Sequence, residues 1–125
     1  MHNTFEYHIF VLKMNTENTK AQMRKGVLEY CILSVLAKDR KYATEILIHL
    51  KDAKMIVVEG TLYPLLARLK TAHLLEYEWE ESTSGPPRKY YQITKEGILF
   101  LKELSNGWKE LQQAVELLTK NSKST

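Results

Sequence analysis

The part of this 125-residue chain best equipped for specific chemistry is the segment "EGTLYPLLARL", which runs from Glu59 to Leu69. Its four leucines recur at the spacing of one buried stripe on a helix. The opposite face carries only small or compact side chains, at Gly60, Pro64, Ala67 and Thr71. Because a solvated helix face usually carries long charged side chains, this bare face suits noncovalent recognition of a large body that approaches closely.

Hydrogen-bonding and basic side chains border the bare face. Thr61 and Arg68 lie on one side of it, and Tyr63 and Lys70 lie on the other. The amides at the start of a helix attract phosphate, and the major groove of DNA admits one helix. We therefore predict that Thr61 and Tyr63 contact base edges and that Arg68 and Lys70 contact phosphates. A simpler interpretation, in which the leucines are core and the face behind them is ordinary surface, stays open at this point.

Pro64 predicts where this helix begins. Proline is tolerated in the first turn, where backbone amides have no helical partner, so we expect a start near Glu59 to Thr61. Apolar periodicity predicts two earlier helices, one from about Asn18 to the "KDRK" segment and one from Tyr42 to Ala53. Three helices with short links indicate a helix-turn-helix arrangement.

The first residues differ in pattern from the rest of the chain. Apolar and polar side chains alternate in part over residues 1–13, so a short strand is conceivable there. We predict that residues 1–17 form an extension that adds little to the fold and has no fixed structure. A packed or exchanged arm is the alternative. The DNA-binding domain is expected to span residues 18–94, followed by a dimerisation helix at 95–120 and a flexible tail at 121–125.

A β-hairpin is predicted after the third helix. The segment "LLEYEWEE" alternates as a half-buried strand does, with Leu75, Tyr77 and Trp79 on its inner face. "STSGPP" reads as a turn in which Gly85 adopts unusual backbone angles. The return strand begins with Arg88 and Lys89, and these two residues are predicted to touch DNA phosphates. The glutamates of "LLEYEWEE" are expected to point away into solvent. A helix-turn-helix followed by such a hairpin is a winged helix.

The last helix has an apolar seam. Thr94 is its predicted N-cap, and Glu96 lies in its first turn. Apolar residues then recur at spacings of three and four, as in a heptad repeat, at Leu101, Leu104, Trp108, Leu111, Val115 and Leu118. Because a lone helix would leave this strip exposed, we predict a homodimer. A two-fold dimer would present two recognition helices to a near-palindromic site, with half-sites about 34 Å apart.

The sequence offers little for other kinds of chemistry. The net charge is only +3, and one cysteine, Cys31, cannot form an internal disulfide or a cysteine-based metal site. The four histidines show no metal-ligand spacing, and neither a nucleophile elbow nor a glycine-rich phosphate loop is present. No run reaches the roughly 18 apolar residues of a membrane span. We expect a cytoplasmic protein that is not an enzyme and has no catalytic residue, cofactor or metal.

Three motifs resemble the PadR family of winged-helix transcriptional regulators, in the branch with a short C-terminus. "GTLYPLLARL" is similar to the opening of the family's recognition helix, "SGPPRKYYQITKEG" to its wing and the entry to its last helix, and "GVLEYCILSVLA" to its first helix. The resemblance runs from about Met23 to Leu118. It implies a mainly α fold with a small β-hairpin, which is an α+β winged helix with a C-terminal dimerisation helix.

The residue pattern and the resemblance together assign sites. The predicted DNA contacts are Tyr42, Gly60, Thr61, Tyr63, Pro64, Arg68, Arg88 and Lys89. The resemblance also implies that Trp108 lies at the dimer interface, beside a flat apolar ligand pocket. One departure concerns the end of the third helix. His73 stands where many members have glycine, so this helix is expected to end without a left-handed glycine.

These observations favour a sequence-specific DNA-binding regulator. The hypothesis is a dimeric repressor that binds a near-palindromic double-stranded operator and is released by a planar aromatic or apolar small molecule. A winged-helix domain used only for protein–protein contact is the alternative, and it would show no salt-dependent DNA binding. A winged-helix regulator of the multidrug or metal-sensing kind is a third hypothesis, but the metal ligands it needs are missing.

Overall fold

A computed structural model describes residues 3–121 as four helices and three strands. In chain order these are α1 (Thr4–Lys38), β1 (Lys41–Tyr42), α2 (Ala43–Asp52), α3 (Glu59–Thr71), β2 (Leu75–Ser82), β3 (Gly85–Ile93) and α4 (Lys95–Asn121). The predicted α+β winged helix is confirmed. No helix within residues 3–121 is long and apolar enough to cross a membrane.

The N-terminal segment is helical from Thr4 onward, so the strand that was conceivable there is not formed within the described residues, and the predicted helix start near Asn18 was wrong. A single helix of 35 residues begins at Thr4. Its start is capped by Asn3, whose Oδ1 accepts a 2.7 Å hydrogen bond from the Glu6 amide. Residues 3–22 are almost all exposed, so this part of α1 lies outside the core. Most of the predicted tail, residues 122–125, lies outside the described residues.

One hydrophobic core joins the C-terminal half of α1 to α2, α3 and the sheet. Its buried members are Ile32, Leu33, Leu36, Ala43, Ile46, Leu50, Leu62, Leu66, Leu69, Leu75 and Tyr91. Each helix contributes residues spaced three or four apart, as the periodicity predicts. The core therefore fixes α3 against α1 and α2 through its leucine stripe and leaves its other face outward.

The helices α2 and α3 end in the same way. After α3, the Leu74 amide donates to the Leu69 carbonyl and the His73 amide donates to the Lys70 carbonyl, which is a Schellman motif. His73 itself adopts the left-handed conformation, with φ 62°. Lys54 does the same after α2, with φ 66°. The missing glycine therefore does not change how α3 ends, but it leaves a side chain at a strained backbone position.

The sheet is antiparallel, with strand order β1-β3-β2. The hairpin turns at Thr83 and Ser84, and its register shifts between Glu80 and Ser82, opposite the two prolines of β3. Proline tolerates such an irregular position because no ladder hydrogen bond is required of it there. No described glycine has a positive φ, so the predicted unusual angles at Gly85 were wrong.

The joint between the sheet and α4 is tight. The Thr94 hydroxyl accepts a 2.9 Å hydrogen bond from the Gly97 amide, which confirms Thr94 as the N-cap. The same hydroxyl donates to the His73 carbonyl at 2.7 Å, and the Thr94 amide donates to the Leu74 carbonyl at 3.1 Å. The start of α4 is thus bound to the segment that connects α3 to β2.

Candidate nucleic-acid interface

The predicted bare face of α3 is exposed along its length, at Gly60, Pro64, Ala67 and Thr71. The helix begins at Glu59, as expected, and the Val58 carbonyl accepts hydrogen bonds from the Thr61 and Leu62 amides at 3.0 and 3.1 Å. Pro64 is the sixth residue of α3, so its predicted place in the first turn was wrong. Because proline has no amide proton, it cannot donate to the Gly60 carbonyl on the same exposed face.

The two borders of this face lie against different neighbours. On one side, Thr61 lines a recess together with Leu28 of α1. Further along that side, Arg68 forms an ion pair with Glu29 of α1. Tyr63, on the other side, faces the hairpin. The structure therefore separates Thr61 and Arg68 from the rest of the predicted set, and their contacts with DNA stay predictions.

Four of the predicted residues meet around one cleft. Tyr42, Tyr63, Arg88 and Lys89 line an open cleft of about 390 Å³ between the start of α2, the start of α3 and the hairpin. Trp79 lines it too. Tyr91 lies at the cleft as well, so two cations and four aromatic rings surround a recess beside the exposed face of α3. Such a surface combines the charge that attracts phosphates with rings that contact sugars or bases.

Tyr42 is held in place by its surroundings. Its ring lies 3.9 Å from the Tyr90 ring, centroid to centroid, and the Arg88 guanidinium is 5.3 Å from its centre. Its hydroxyl donates to a Glu80 carboxylate oxygen at 3.2 Å. Desolvation, the Tyr90 hydroxyl and the Glu80 carboxylate raise the pKa of Tyr42 to about 12. The phenol is neutral at physiological pH, as a tyrosine with an ordinary pKa also is, and presents no charge that would repel DNA.

Glu80 differs from the solvated glutamates that were predicted for β2. Besides accepting from Tyr42, its carboxylate lies 3.5 Å from the Arg40 guanidinium. The Arg40 guanidinium also lies 4.5 Å from the centre of the Tyr90 ring. The negative charge of Glu80 is therefore balanced next to the cleft, which removes much of the repulsion that this strand would exert on a phosphate backbone.

Lys89 and Trp79 extend the surface along the hairpin. The Lys89 ammonium lies 4.4 Å from the centre of the Tyr77 ring and 5.2 Å from that of Trp79, and the Lys70 ammonium lies 5.0 Å from Tyr77. Trp79 is 62% exposed, although strand alternation predicts an inner side chain. We call the whole set the basic aromatic surface; it comprises Tyr42, Tyr63, Lys70, Tyr77, Trp79, Arg88 and Lys89.

Sequence reasoning missed Trp79 for a physical reason. Alternation assigns a side chain to a face, but it does not tell how far the core extends beneath that face. Leu75 and Tyr77 lie over the core, whereas the hairpin has passed beyond it at Trp79. Two features could have indicated that Trp79 lies outside the core. Trp79 is far from the start of its strand, and a basic residue lies opposite it, since Trp79 pairs with Lys89.

The apolar seam of α4 is divided between two environments. Leu101 and Leu104 are half-buried and pack against the core of the same chain. Trp108, Leu111 and Val115 line an open groove of about 700 Å³ between α4 and α1, opposite Met23 and Val27. Leu118 is exposed beyond the groove. The first two residues of the predicted dimer seam therefore serve the fold of the single chain, and the rest are uncovered.

Metal chemistry finds no support in the part of the chain that the structure describes. No group of three or more His, Cys, Asp or Glu side chains in that part could hold a metal ion. Cys31 is half-buried in α1, and burial raises the pKa of its thiol. A raised pKa keeps the thiol protonated and weakly reactive.

Comparisons with known proteins identify solved structures that share this fold. A solved PadR-like transcription factor from Bacteroides fragilis is 59% identical, covers 81% of this chain and 98% of its own, and superposes with a TM-score of 0.69. A PadR family regulator from Eggerthella lenta is 32% identical, covers 87% and 96%, and reaches 0.81. A PadR-like regulator from Bacillus cereus is 39% identical, covers 78% and 95%, and reaches 0.68.

The family model described as "Transcriptional regulator PadR-like family" matches residues 32–103. This range contains α2, α3 and the hairpin, and with them the whole basic aromatic surface. The matched family and the similar structures are regulators and not enzymes. The chain belongs to the PadR-like family of transcriptional regulators.

Proposed function

We propose that the chain acts as a homodimeric repressor that binds a near-palindromic operator and is released by a small apolar molecule. The observation that carries the DNA contact is the cleft that joins Tyr42, Tyr63, Arg88 and Lys89 beside the exposed face of α3. That face is bare enough to enter a major groove, and the cleft provides cations where the flanking phosphates would lie.

Each side chain has a role in this proposal. Tyr63 stands at the edge of α3 and is 46% exposed, so it reaches base edges or thymine methyl groups. Arg88 and Lys89 contact phosphates from the hairpin. Tyr42 donates its hydroxyl or packs its ring against the sugar-phosphate backbone. Gly60 and Pro64 have no long side chain, and this lets the backbone of α3 approach the groove closely.

Dimerisation would follow from the uncovered part of α4. Trp108, Leu111, Val115 and Leu118 form an exposed apolar strip, and a second copy of α4 would bury it. The resulting two-fold axis would set two α3 helices about one turn of DNA apart. A near-palindromic operator matches that symmetry.

The proposed effector site is the groove beside Trp108. It is lined mainly by apolar side chains and has the size of a small-molecule site. The test uses the Trp79→Phe variant, in which Trp108 is the single tryptophan of the chain. A planar aromatic compound that enters the groove should quench its emission and weaken operator binding at the same concentrations. Quenching without any change in DNA affinity would contradict release by an effector.

DNA selection tests the main proposal. Fragments captured by the purified protein are sequenced, and binding of the selected fragment is then measured at several salt concentrations. We expect a steep loss of affinity with salt, because each phosphate contact releases counterions. Arg88→Ala should reduce the salt dependence by about one counterion. Arg68→Ala is the matched comparison: Arg68 pairs with Glu29 away from the cleft, so its predicted phosphate contact should contribute less to the salt dependence than that of Arg88.

The protein–protein alternative predicts a different outcome. A winged helix used only as an adaptor would select no DNA sequence, and its weak binding to any duplex would be equal for all sequences. Equal effects of Arg88→Ala and Arg68→Ala would contradict the placement of the phosphate contacts in the cleft, even if the chain binds DNA.

A further inference from the structure

The recess at the Thr61 border of α3 carries two cations that the proposed function does not use. Arg24 and Lys25 of α1 line it together with Val58 and Thr61, and it has a volume of about 260 Å³. None of the described residues that line it is acidic. Thr61 lies in the first turn of α3, so the two cations stand beside the end of α3 whose residues reach base edges in a helix-turn-helix.

The charges of Arg24 and Lys25 are not balanced by an ion pair. Glu29 lies one helical turn after Lys25, but its carboxylate pairs with Arg68. In the part of the chain that the structure describes, no ion pair involves Arg24 or Lys25. Glu59, which is exposed at the start of α3, opposes one of the two charges. The recess therefore keeps a net positive charge, whereas the charge of Arg68 is balanced.

The surroundings of the two cations suit contact with a nucleic-acid backbone. Arg24 is half-buried and lies between this recess and the open groove that α1 forms with α4. Such packing restricts the side chain before it binds, so less entropy is lost in the contact. Ile56 and Val58 are 67% and 66% exposed at the same recess. They offer apolar surface to a deoxyribose beside the charged phosphate.

A helix that lies in the major groove has a phosphate backbone on each side. A helix with its side chains is about 10–12 Å across, and the groove is about 12 Å wide, so both borders of α3 come close to phosphates. Arg88 and Lys89 provide cations on the Tyr63 border. The other border lies against α1, and Arg24 and Lys25 are the cations of α1 that line the recess there.

We propose that Arg24 and Lys25 bind phosphates of the DNA strand opposite to the strand that Arg88 and Lys89 contact. Contacts on both walls of the groove fix the rotation and the depth of α3, and they hold Thr61 in front of the bases. This inference rests on the DNA contact of the proposed function and adds to it a second set of phosphate contacts.

Salt titrations of the operator complex test the proposal with the variant Arg24→Gln/Lys25→Gln. The loss of two phosphate contacts should reduce the slope of log affinity against log salt by about two. The matched control is Lys102→Gln/Lys109→Gln, which removes the same charge from two exposed residues of α4. Because distant surface charges are screened, the control should change the slope by less than about 0.5. Equal slopes for the two variants would overturn the proposal.

Two single variants separate charge from packing, after circular dichroism has shown that each is folded. Arg24→Lys keeps the charge and should bind the operator within about fivefold of the unaltered chain, since lysine binds phosphate as a point charge. Lys25→Gln changes an exposed side chain and should reduce the salt slope by about one. An unchanged slope in Lys25→Gln would overturn its contact, and a large loss of affinity in Arg24→Lys would overturn that of Arg24.

Ethylation interference assigns the contacts to a strand. Ethylation removes the charge of a single phosphate and weakens binding where the protein contacts that phosphate. The unaltered chain should be sensitive on both strands of each half-site. Arg24→Gln/Lys25→Gln should lose the sensitivity of one strand, and Arg88→Ala should lose that of the other. Loss at the same phosphates in both variants would overturn the proposal.

The outcomes also separate this inference from the proposed function. A chain that selects an operator through Arg88, but binds it equally well without Arg24 and Lys25, would contradict this inference alone. A chain that binds every duplex equally, with a salt slope that falls by about two in Arg24→Gln/Lys25→Gln, would contradict operator recognition and leave these phosphate contacts standing.

Discussion

Replacing Gly97 with alanine tests how α4 is joined to the winged domain. A Cβ atom at this position would lie 2.6 Å from Ile93 Cγ1 and closer still to the Leu74 carbonyl oxygen, and real Cβ atoms essentially never come within 3.0 Å of such neighbours. The Leu74 carbonyl cannot retreat freely, because it accepts the 3.1 Å hydrogen bond from the Thr94 amide. Either α4 or this hydrogen bond must therefore shift.

The magnitude comes from two opposing effects. An extra methyl group in a packed site costs about 1–3 kcal/mol, and displacement of a hydrogen-bonded backbone places Gly97 at the upper end. Alanine regains up to about 1 kcal/mol because it favours a helix over glycine. We expect Gly97→Ala to lower the free energy of unfolding by about 2 kcal/mol.

Urea unfolding monitored by circular dichroism measures this change, with all variants at one protein concentration. Gly26→Ala is the control: Gly26 lies inside α1, and a Cβ atom there would meet nothing within 4 Å. The control should raise the free energy of unfolding by up to about 1 kcal/mol. If Gly97→Ala shifts it in the same direction as Gly26→Ala, the argument from close approach is wrong.

Four further predictions concern the surface and the strained helix end. Tyr63→Ala should weaken operator binding by about 1–3 kcal/mol and leave binding to random DNA nearly unchanged, because a base contact is lost; fluorescence anisotropy with both DNAs measures this. Lys89→Ala should weaken both alike and reduce the slope of log affinity against log salt by about one, in titrations at several salt concentrations. His73→Gly should raise the free energy of unfolding in urea by about 1 kcal/mol, since a left-handed backbone costs a side chain about 1–2 kcal/mol and glycine loses part of that gain to entropy. The unaltered chain should lose free energy of unfolding between pH 10 and about 12, because the pKa of Tyr42 is higher in the folded chain than in the unfolded one. The contribution of Tyr42 is complete below pH 10 and disappears as the pH rises, so Tyr42→Phe should show a smaller loss over this range.

Each of these expectations has a clear opposite. Equal losses on operator and random DNA would remove Tyr63 from base contact, and an unchanged salt slope would count against a phosphate contact by Lys89. A His73→Gly variant that unfolds more easily would mean that the imidazole contributes more than its backbone strain costs. Parallel pH profiles for Tyr42→Phe and the unaltered chain would contradict the raised pKa.

The sequence predicted the elements whose signals are local. The periodicity of leucines placed α3, the apolar alternation placed the hairpin, and Thr94 marked the start of α4, because each of these patterns acts within a few residues. The small residues along α3 also identified its exposed face correctly. The family resemblance then joined these elements into a winged helix, which local patterns alone do not specify.

The features that the sequence analysis did not predict depend on distant contacts or on competing patterns. A short strand was conceivable for residues 1–13 because their apolar residues fit a strand period in part, yet Phe5, Ile9 and Leu12 also fit a helix. The ion pair between Arg68 and Glu29 was not foreseen, because no spacing rule indicates a partner 39 positions earlier; the phosphate contact predicted for Arg68 stays a prediction. The helical wheel correctly assigned Thr61 and Tyr63 to opposite borders of the exposed face of α3. Only the structure shows that the Thr61 border lies against α1 and the Tyr63 border faces the hairpin.

The joint at Gly97 links stability to recognition in the proposed dimer. The 27 residues of α4 form a rod about 40 Å long, so a tilt of only about 5° at its start would move its far end by roughly 3 Å. Half-sites are read at a fixed separation of about 34 Å, and a shift of this size would misplace the second α3 in its groove. Thr94, through its bonds to His73 and Leu74, and the absence of a side chain at Gly97 together restrict that tilt. Gly97→Ala should therefore weaken operator binding even under conditions where the variant is fully folded, and should affect binding to random DNA much less.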